Sequence, residues 1–72
     1  MPGKRKTILA ESRQHLKRSI TDCANIEEHL AKLHTWYAAD YEEFAKGLAI
    51  AGTTVQSLRD FISSLESHLN EL

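Results

Sequence analysis

The sequence predicts an all-α protein organised around a helical hairpin. Apolar residues recur at alternating steps of four and three along the second half of the chain, which places them on one face of an α-helix. The only proline is at position 2 and there are three glycines, so little interrupts helical structure. Hydrophobic residues make up 42% of the 72 residues, as in a globular domain. The periodic residues are Tyr37, Tyr41, Phe44, Leu48, Ala51, Val55, Leu58, Ile62, Leu65, Leu69 and Leu72.

Two structures are compatible with this apolar stripe, and they differ at Gly52. In the first, two helices at about 26–51 and 54–71 form a hairpin that turns at Gly52, with Thr53 and Gln56 at capping-box spacing. In the second, one helix runs through this segment. The apolar stripe keeps its helical phase across Gly52. A turn at that position does not require this, so the observation favours the continuous helix. A continuous helix loses about 2 kcal/mol of propensity at Gly52 and the threonines after it. We predict the hairpin with its turn at Gly52.

A basic amphipathic helix is expected to precede the hairpin. Residues 1–6 are predicted to be a disordered basic arm, and residues 7–72 a single helical domain. Thr7 can cap the first helix. Its apolar side is thin, and consists of Ile8, Leu9, Leu16, Ile20 and Cys23.

The apolar pattern slips by one residue after Cys23. Glu27 and His34 occupy the positions where the upstream stripe would continue. Ile26, Leu30, Leu33 and Tyr37 carry the apolar face one residue earlier. The slip indicates either a local change of register in a long helix or a break within 22–25, where the sequence favours helices poorly.

A turn at Gly52 leaves the N-terminal part of the chain without a partner. A helix over 54–71 covers the preceding helix back to about Lys32. Residues 7–31 would then fold back as the third helix of a bundle, or join a coiled-coil assembly with another molecule, because an uncovered apolar stripe is unstable in water.

The charge is unevenly distributed although the net value is only −1. Residues 1–18 hold six of the nine basic residues and one acid, and residues 19–72 carry a formal charge of −6. Such a segment can complement the acidic remainder of the chain or bind phosphates. The candidate nucleic-acid-binding residues are Lys4, Arg5, Lys6, Arg13, Lys17 and Arg18.

Residues 48–54 followed by Leu58 and Phe61 loosely resemble a helix-turn-helix motif. Leu48 stands where a small residue is usual, four positions before the glycine. The segment that would read DNA carries Asp60 and Glu66 against one arginine. An ordinary helical hairpin explains the same residues.

The sequence contains no pattern typical of catalysis, a metal site or a cofactor site. The pairs Glu11–His15 and Cys23–Glu27 are four residues apart, but neither supplies the three or four ligands that zinc requires. We therefore expect a protein that is not an enzyme and has no cofactor. A single cysteine, no secretory signal and no apolar run near 20 residues predict an intracellular, cytoplasmic protein without a membrane span.

These observations predict a non-catalytic protein–protein interaction module. It would be a self-associating helical bundle or a small subunit of a larger helical assembly, with itself or another helical chain as partner. The alternative is a small nucleic-acid-binding regulator that uses its N-terminal basic helix. The candidate partner-binding residues are Leu16, Ile20, Leu30, Leu33, Trp36, Tyr37, Tyr41 and Phe61.

Overall fold

Two long α-helices pack against each other as a hairpin in the computed structural model of the protein. The structure describes the backbone of residues 2–72 and the side chains of residues 7–72. Helix α1 spans Pro2–Tyr37 and helix α2 spans Glu42–Asn70, and the described chain contains no strand. The Cα atoms extend over 59 × 15 × 12 Å. The predicted all-α class and the helical hairpin are confirmed.

The turn lies at residues 38–41, close to the middle of the chain. Tyr37 and Tyr41 are joined by a hydrogen bond from the amide N–H of Tyr41 to the carbonyl of Tyr37, with an N···O distance of 2.9 Å. The ring of Tyr37 meets those of Tyr41 and Phe44 edge-on, at centroid distances of 5.6 and 5.1 Å. Glu42 and Glu43 lie in the first turn of α2, where carboxylates interact favourably with the helix dipole.

The predicted turn at Gly52 is wrong, and so are the helix bounds 26–51 and 54–71. Helix α2 runs through Gly52, whose φ is not positive, so the left-handed cap is absent. The hydroxyls of Thr53 and Thr54 donate to the carbonyls of Ala49 and Ile50, over 3.1 and 2.9 Å, instead of capping a new helix. The continuous helix, weighed above as the other possibility, is correct for this segment. The helix-turn-helix interpretation fails with the turn.

The break within 22–25, one of the two alternatives for the slip in the apolar pattern, is absent. Helix α1 is continuous, so the basic segment is the first half of α1 and not a separate helix. The physical reason is that a turn near the middle of the chain lets the two helices cover each other along most of their length, because α1 has 36 residues and α2 has 29. No long apolar stripe then overhangs, whereas a turn at Gly52 would leave residues 7–31 without a partner.

The two helices meet along residues that repeat every seven positions. In α2 the less exposed positions alternate by three and four, and in α1 Leu9, Leu16, Cys23 and Leu30 are seven apart. A seven-residue repeat is the signature of left-handed coiled-coil packing. The α2 positions in this series are Ala45, Leu48, Gly52, Val55, Arg59, Ile62, Glu66 and Leu69, and Ala51 beside Gly52 is half-buried as well.

The core formed by this packing is small. Only Cys23, Ala45 and Leu48 are buried among the described side chains, with 4%, 5% and 9% of their surface exposed. Two helices alone shield one stripe on each helix, so most large apolar residues keep contact with solvent.

The prediction that residues 1–6 form a disordered basic arm falls on side chains outside those that the structure describes. The bounds of α1 include residues 2–6. The division into an arm and a domain over 7–72 stays a prediction.

Candidate interaction surface

The apolar stripe predicted from the sequence is divided between the helix seam and the surface. Leu48, Val55, Ile62 and Leu69 are buried or half-buried on the side of α2 that faces α1. The alternate members with large side chains face outward and are 42–66% exposed, whereas Ala51 is half-buried. The single hairpin thus covers only part of the stripe: α2 uses the residue after each outward member, such as Gly52 and Arg59, on its side toward α1. The outward members with large side chains are Tyr41, Phe44, Leu58, Leu65 and Leu72.

Two open clefts show which residues share a side of the hairpin. The first cleft, about 460 Å³, is lined by Ala31 and Thr35 of α1 and by Ala49 and Gly52 of α2. The second, about 440 Å³, brings residues of α2 near its C-terminus together with residues of the first half of α1. The lining of the second is Ser12, His15, Leu16, Ser19, Leu65, His68, Leu69 and Leu72.

Stepping by seven from the second cleft identifies one side of the hairpin that is apolar along α2 and in the second half of α1, and carries Ser12 and Ser19 in the first half of α1. From Ser12 and Ser19, such steps reach Ile26 and Leu33 in α1. From Leu72 and Leu65, they reach the other outward apolar residues of α2. Because positions seven apart share a face in a coiled coil, these residues lie on one side of the hairpin. We call this surface the apolar face; its members are Ile26, Leu33, Phe44, Ala51, Leu58, Leu65 and Leu72.

One ion pair crosses the helix seam. A guanidinium nitrogen of Arg59 donates to Glu27 Oε2 over 3.1 Å, and the two side chains are 31% and 27% exposed. Glu27 Oε1 is buried and has no hydrogen-bond partner among the described residues. Glu27 is the residue at which the apolar pattern slips, so the slip marks a polar contact between the helices and not a break. No pattern recognised in the sequence predicted this pair.

The ion pair has apolar neighbours on both helices. Arg59 reaches Glu27 across the seam through its long side chain, and the preceding residue of each, Leu58 and Ile26, lies on the apolar face. Ile26 is 45% exposed and Leu58 is 50% exposed. Each helix therefore contributes an exposed apolar residue beside the ion pair.

The predicted partner-binding residues fall into two groups. One group is half-buried and contributes to the seam or its edges: Leu16, Ile20, Leu30 and Leu33. The other is exposed: Trp36, Tyr37, Tyr41 and Phe61. Trp36 is 68% exposed and Phe61 62%. Their role in binding a partner stays a prediction.

The basic residues of the alternative hypothesis lie in the first half of α1. The side chains of Lys4, Arg5 and Lys6 are outside those that the structure describes. Those of Arg13, Lys17 and Arg18 are exposed. Lys17 and Arg18 line a third shallow cleft with Gln14, Thr21 and Asp22.

No three His, Cys, Asp or Glu side chains of the described residues gather as metal ligands. Cys23 is a free, buried thiol within the described chain. Neither described helix combines the length and the apolar character needed to cross a membrane.

Comparison with known proteins gives no relative from which to argue: no protein-family model, no curated protein and no solved structure matches the chain. The function is therefore inferred from the geometry of the hairpin.

Proposed function

We propose that the protein is a non-catalytic protein–protein interaction module whose contact surface is the apolar face of the hairpin. It works as a self-associating bundle or as a small subunit of a larger helical assembly. Binding buries the exposed stripe of α2 and the neighbouring apolar residues of α1 against partner helices.

The observation that carries this proposal is the imbalance between buried and exposed apolar side chains. Eleven large apolar residues are at least 36% exposed among the described side chains, against three buried residues of which only Leu48 is large. Small domains with so little core usually need a partner or another stabilising element. Contiguous apolar patches on a protein surface mark sites where another molecule binds.

The exposed aromatic residues fit the same function. Trp36, Tyr41 and Phe44 lie near the turn and are 51–68% exposed. Aromatic side chains contribute strongly to interfaces because they bury a large area while losing little conformational freedom. A partner that covers the turn end of the apolar face would gain these contacts.

Nucleic-acid binding is the second candidate function. It is favoured by one observation: Arg13, Lys17 and Arg18 project from consecutive turns of α1 into solvent. Phosphate contacts would make such binding strongly dependent on salt concentration. Against it, the acidic side chains of Glu11 and Asp22 lie in the same segment.

Co-purification at low and high salt tests the two functions against each other. Tagged and untagged chains are expressed together, and the tagged chain is captured at about 0.05 and 0.5 M salt. A protein complex that survives high salt, and is lost in Leu65→Glu, is expected. The control is Ser63→Glu, which adds the same charge at an exposed residue off the apolar face. A nucleic-acid complex that dissociates in high salt, with no protein bound, would replace this proposal with the alternative.

A further inference from the structure

We infer that the turn at residues 38–41 is a hinge that straightens into helix, so that two chains exchange helices. In the opened form, one continuous helix over residues 2–70 replaces the hairpin, and α1 of each chain packs on α2 of a second copy. Such a domain swap re-forms the seam of the hairpin between two chains. It uses the seam and not the apolar face, so it goes beyond the proposed function and does not depend on it.

The backbone of the turn is already close to helical. Three hydrogen bonds, each with an N···O distance of 2.9 Å, join residues four apart: Ala38 donates to His34, Tyr41 to Tyr37 and Ala45 to Tyr41. None of the described residues, those of the turn included, has a positive φ. The turn also contains neither glycine nor proline. Straightening therefore requires no residue to leave a left-handed conformation and meets no missing backbone N–H.

The start of α2 lacks the side-chain cap that usually stabilises the end of a helix. Its N-cap residue is Tyr41, with φ −132° and ψ 70°, and Tyr41 makes no side-chain capping hydrogen bond with the described chain. Serine, threonine, aspartate and asparagine are favoured at this position, because their side chains accept hydrogen bonds from the first free amides of the helix. In a continuous helix these amides donate to carbonyls of the preceding turn instead. Opening therefore satisfies groups that the hairpin leaves without a cap.

The seam stays on one face when the chain straightens. Leu30 of α1 and Leu48 of α2 both belong to the seam and are 18 residues apart, which is five turns at 3.6 residues per turn. Cys23 and Leu48, the most buried seam leucine and the buried thiol, are 25 residues apart, or about seven turns. A turn between two helices does not require this agreement. In the opened chain, the seam surfaces of α1 and α2 therefore form one strip along a single helix.

The occupant of this strip is a second copy, because the two halves of the strip already fit each other. Within the hairpin α1 covers α2, and the Glu27–Arg59 ion pair joins them over 3.1 Å. In the swapped dimer the two opened chains are antiparallel, so α1 of one chain meets α2 of the other in the orientation that the hairpin has. Every contact of the seam, the ion pair included, then forms twice between the chains.

The closed hairpin is the form of dilute solution. The rings of Tyr37 and Phe44 pack edge-on at 5.1 Å between centroids, and this contact is lost in a straight helix, where seven residues rise about 10 Å. A short connection also holds α1 and α2 together at an effective concentration of about 1 mM. The swapped dimer therefore accumulates as the chain concentration approaches that value. Opening converts a hairpin 59 Å long into a rod of about 100 Å.

Energy transfer within one chain distinguishes opening from any other association. Gln14→Cys and Ser63→Cys, in a Cys23→Ala background, place a donor and an acceptor dye on exposed residues of α1 and α2. The helices of the hairpin lie side by side, so transfer is high, whereas 49 residues of straight helix separate the dyes by about 74 Å. A trace of labelled chain is refolded from urea with unlabelled Cys23→Ala chain, from about 1 μM to about 5 mM. We expect transfer to fall to near zero at the upper concentrations.

Two substitutions of Asp40 test whether the hinge controls this change. Alanine favours helix and glycine disfavours it, and two hinges straighten in each swapped dimer. We therefore expect the dimer dissociation constant of Asp40→Gly to exceed that of Asp40→Ala about thirtyfold. Asp60→Ala and Asp60→Gly are the matched controls, because Asp60 is exposed and is helical both in the hairpin and in the opened chain. We expect the Asp60 variants to have equal dissociation constants.

Two results would overturn the hinge. Transfer that stays high at every concentration, in Asp40→Ala as well as in the unsubstituted chain, means that the hairpin does not open, even if sedimentation shows a dimer. A ratio of dissociation constants that is the same for the Asp40 and the Asp60 variants means that the turn does not become helix. Both results leave the proposed function standing. That function fails separately, if the chain captures no protein whose binding Leu65→Glu abolishes.

Discussion

Gly52 shows how one residue can indicate the wrong structure. Its sequence neighbours, Thr53 and Gln56, suggest a cap, but the helix continues and the threonine hydroxyl bonds back to Ala49. The stripe that keeps its phase across Gly52 was the informative signal. Periodicity over several turns reflects tertiary packing, which outweighs a propensity difference of about 1 kcal/mol.

Gly52→Ala is therefore expected to stabilise the protein by up to about 1 kcal/mol, because alanine favours helix and no atom within 4 Å obstructs a Cβ at this position. Gly47→Ala provides the matched comparison, since Gly47 is helical, exposed and equally unobstructed. Thermal melting of both variants should show midpoints raised by a few degrees. A lower midpoint for Gly52→Ala alone would mean that the chain does turn there.

Glu27 is the second residue whose meaning depends on its partner. In the sequence, Glu27 interrupts an apolar stripe. Arg59 lies in the segment that loosely resembles the DNA-reading helix of a helix-turn-helix motif. In the hairpin, Glu27 of α1 and Arg59 of α2 form an ion pair across the helix seam. Arg59 belongs to the seven-residue series through Ala45 and Gly52, which indicates that it faces α1. This series can be recognised only once the position of the turn is known.

At the scale of the helices, the Glu27–Arg59 pair is expected to select the alignment of α1 on α2 more than to stabilise it. Arg59→Leu leaves a carboxylate unpaired in the seam and should cost about 1–3 kcal/mol, less than for a fully buried pair. Adding Glu27→Leu should recover that loss, because an apolar pair fits the seam. Urea unfolding of the two single variants and the double variant gives the coupling free energy. Additive single effects would show that the pair contributes no interaction.

The turn is the element that the sequence predicts least well. Residues 38–41 contain neither glycine nor proline, so the usual markers of a break are missing. The signals present are weaker: Glu42 and Glu43 at the start of α2 and the three aromatic rings that pack across the turn. The requirement that every apolar stripe be covered was a better guide. It already indicated that a turn at Gly52 leaves residues 7–31 exposed.

At the scale of the whole molecule, fold class and surface were predictable to different extents. Helical periodicity gave the all-α class and the hairpin, because it depends on local geometry. It could not separate the seam from the apolar face, since both lie on one broad stripe of α2. Leu58 and Ile62 differ by about 40° of helical rotation, yet one is half exposed and the other faces α1. That division depends on which way the second helix approaches.

The difference between Leu48 and Leu58 gives the last prediction, which concerns how stability depends on concentration. Leu48 is 9% exposed in the seam, so Leu48→Ala should cost about 2–4 kcal/mol at every protein concentration. Leu58 is 50% exposed in the single hairpin, so Leu58→Ala should cost under about 1 kcal/mol in dilute solution. Its cost should grow with concentration, because association adds to the stability of the folded state only where the residue is covered. Urea unfolding across a hundredfold concentration range measures both variants against the wild-type chain. Equal losses for the two variants in the most dilute samples would mean that Leu58 is buried within the single chain, contrary to this hairpin.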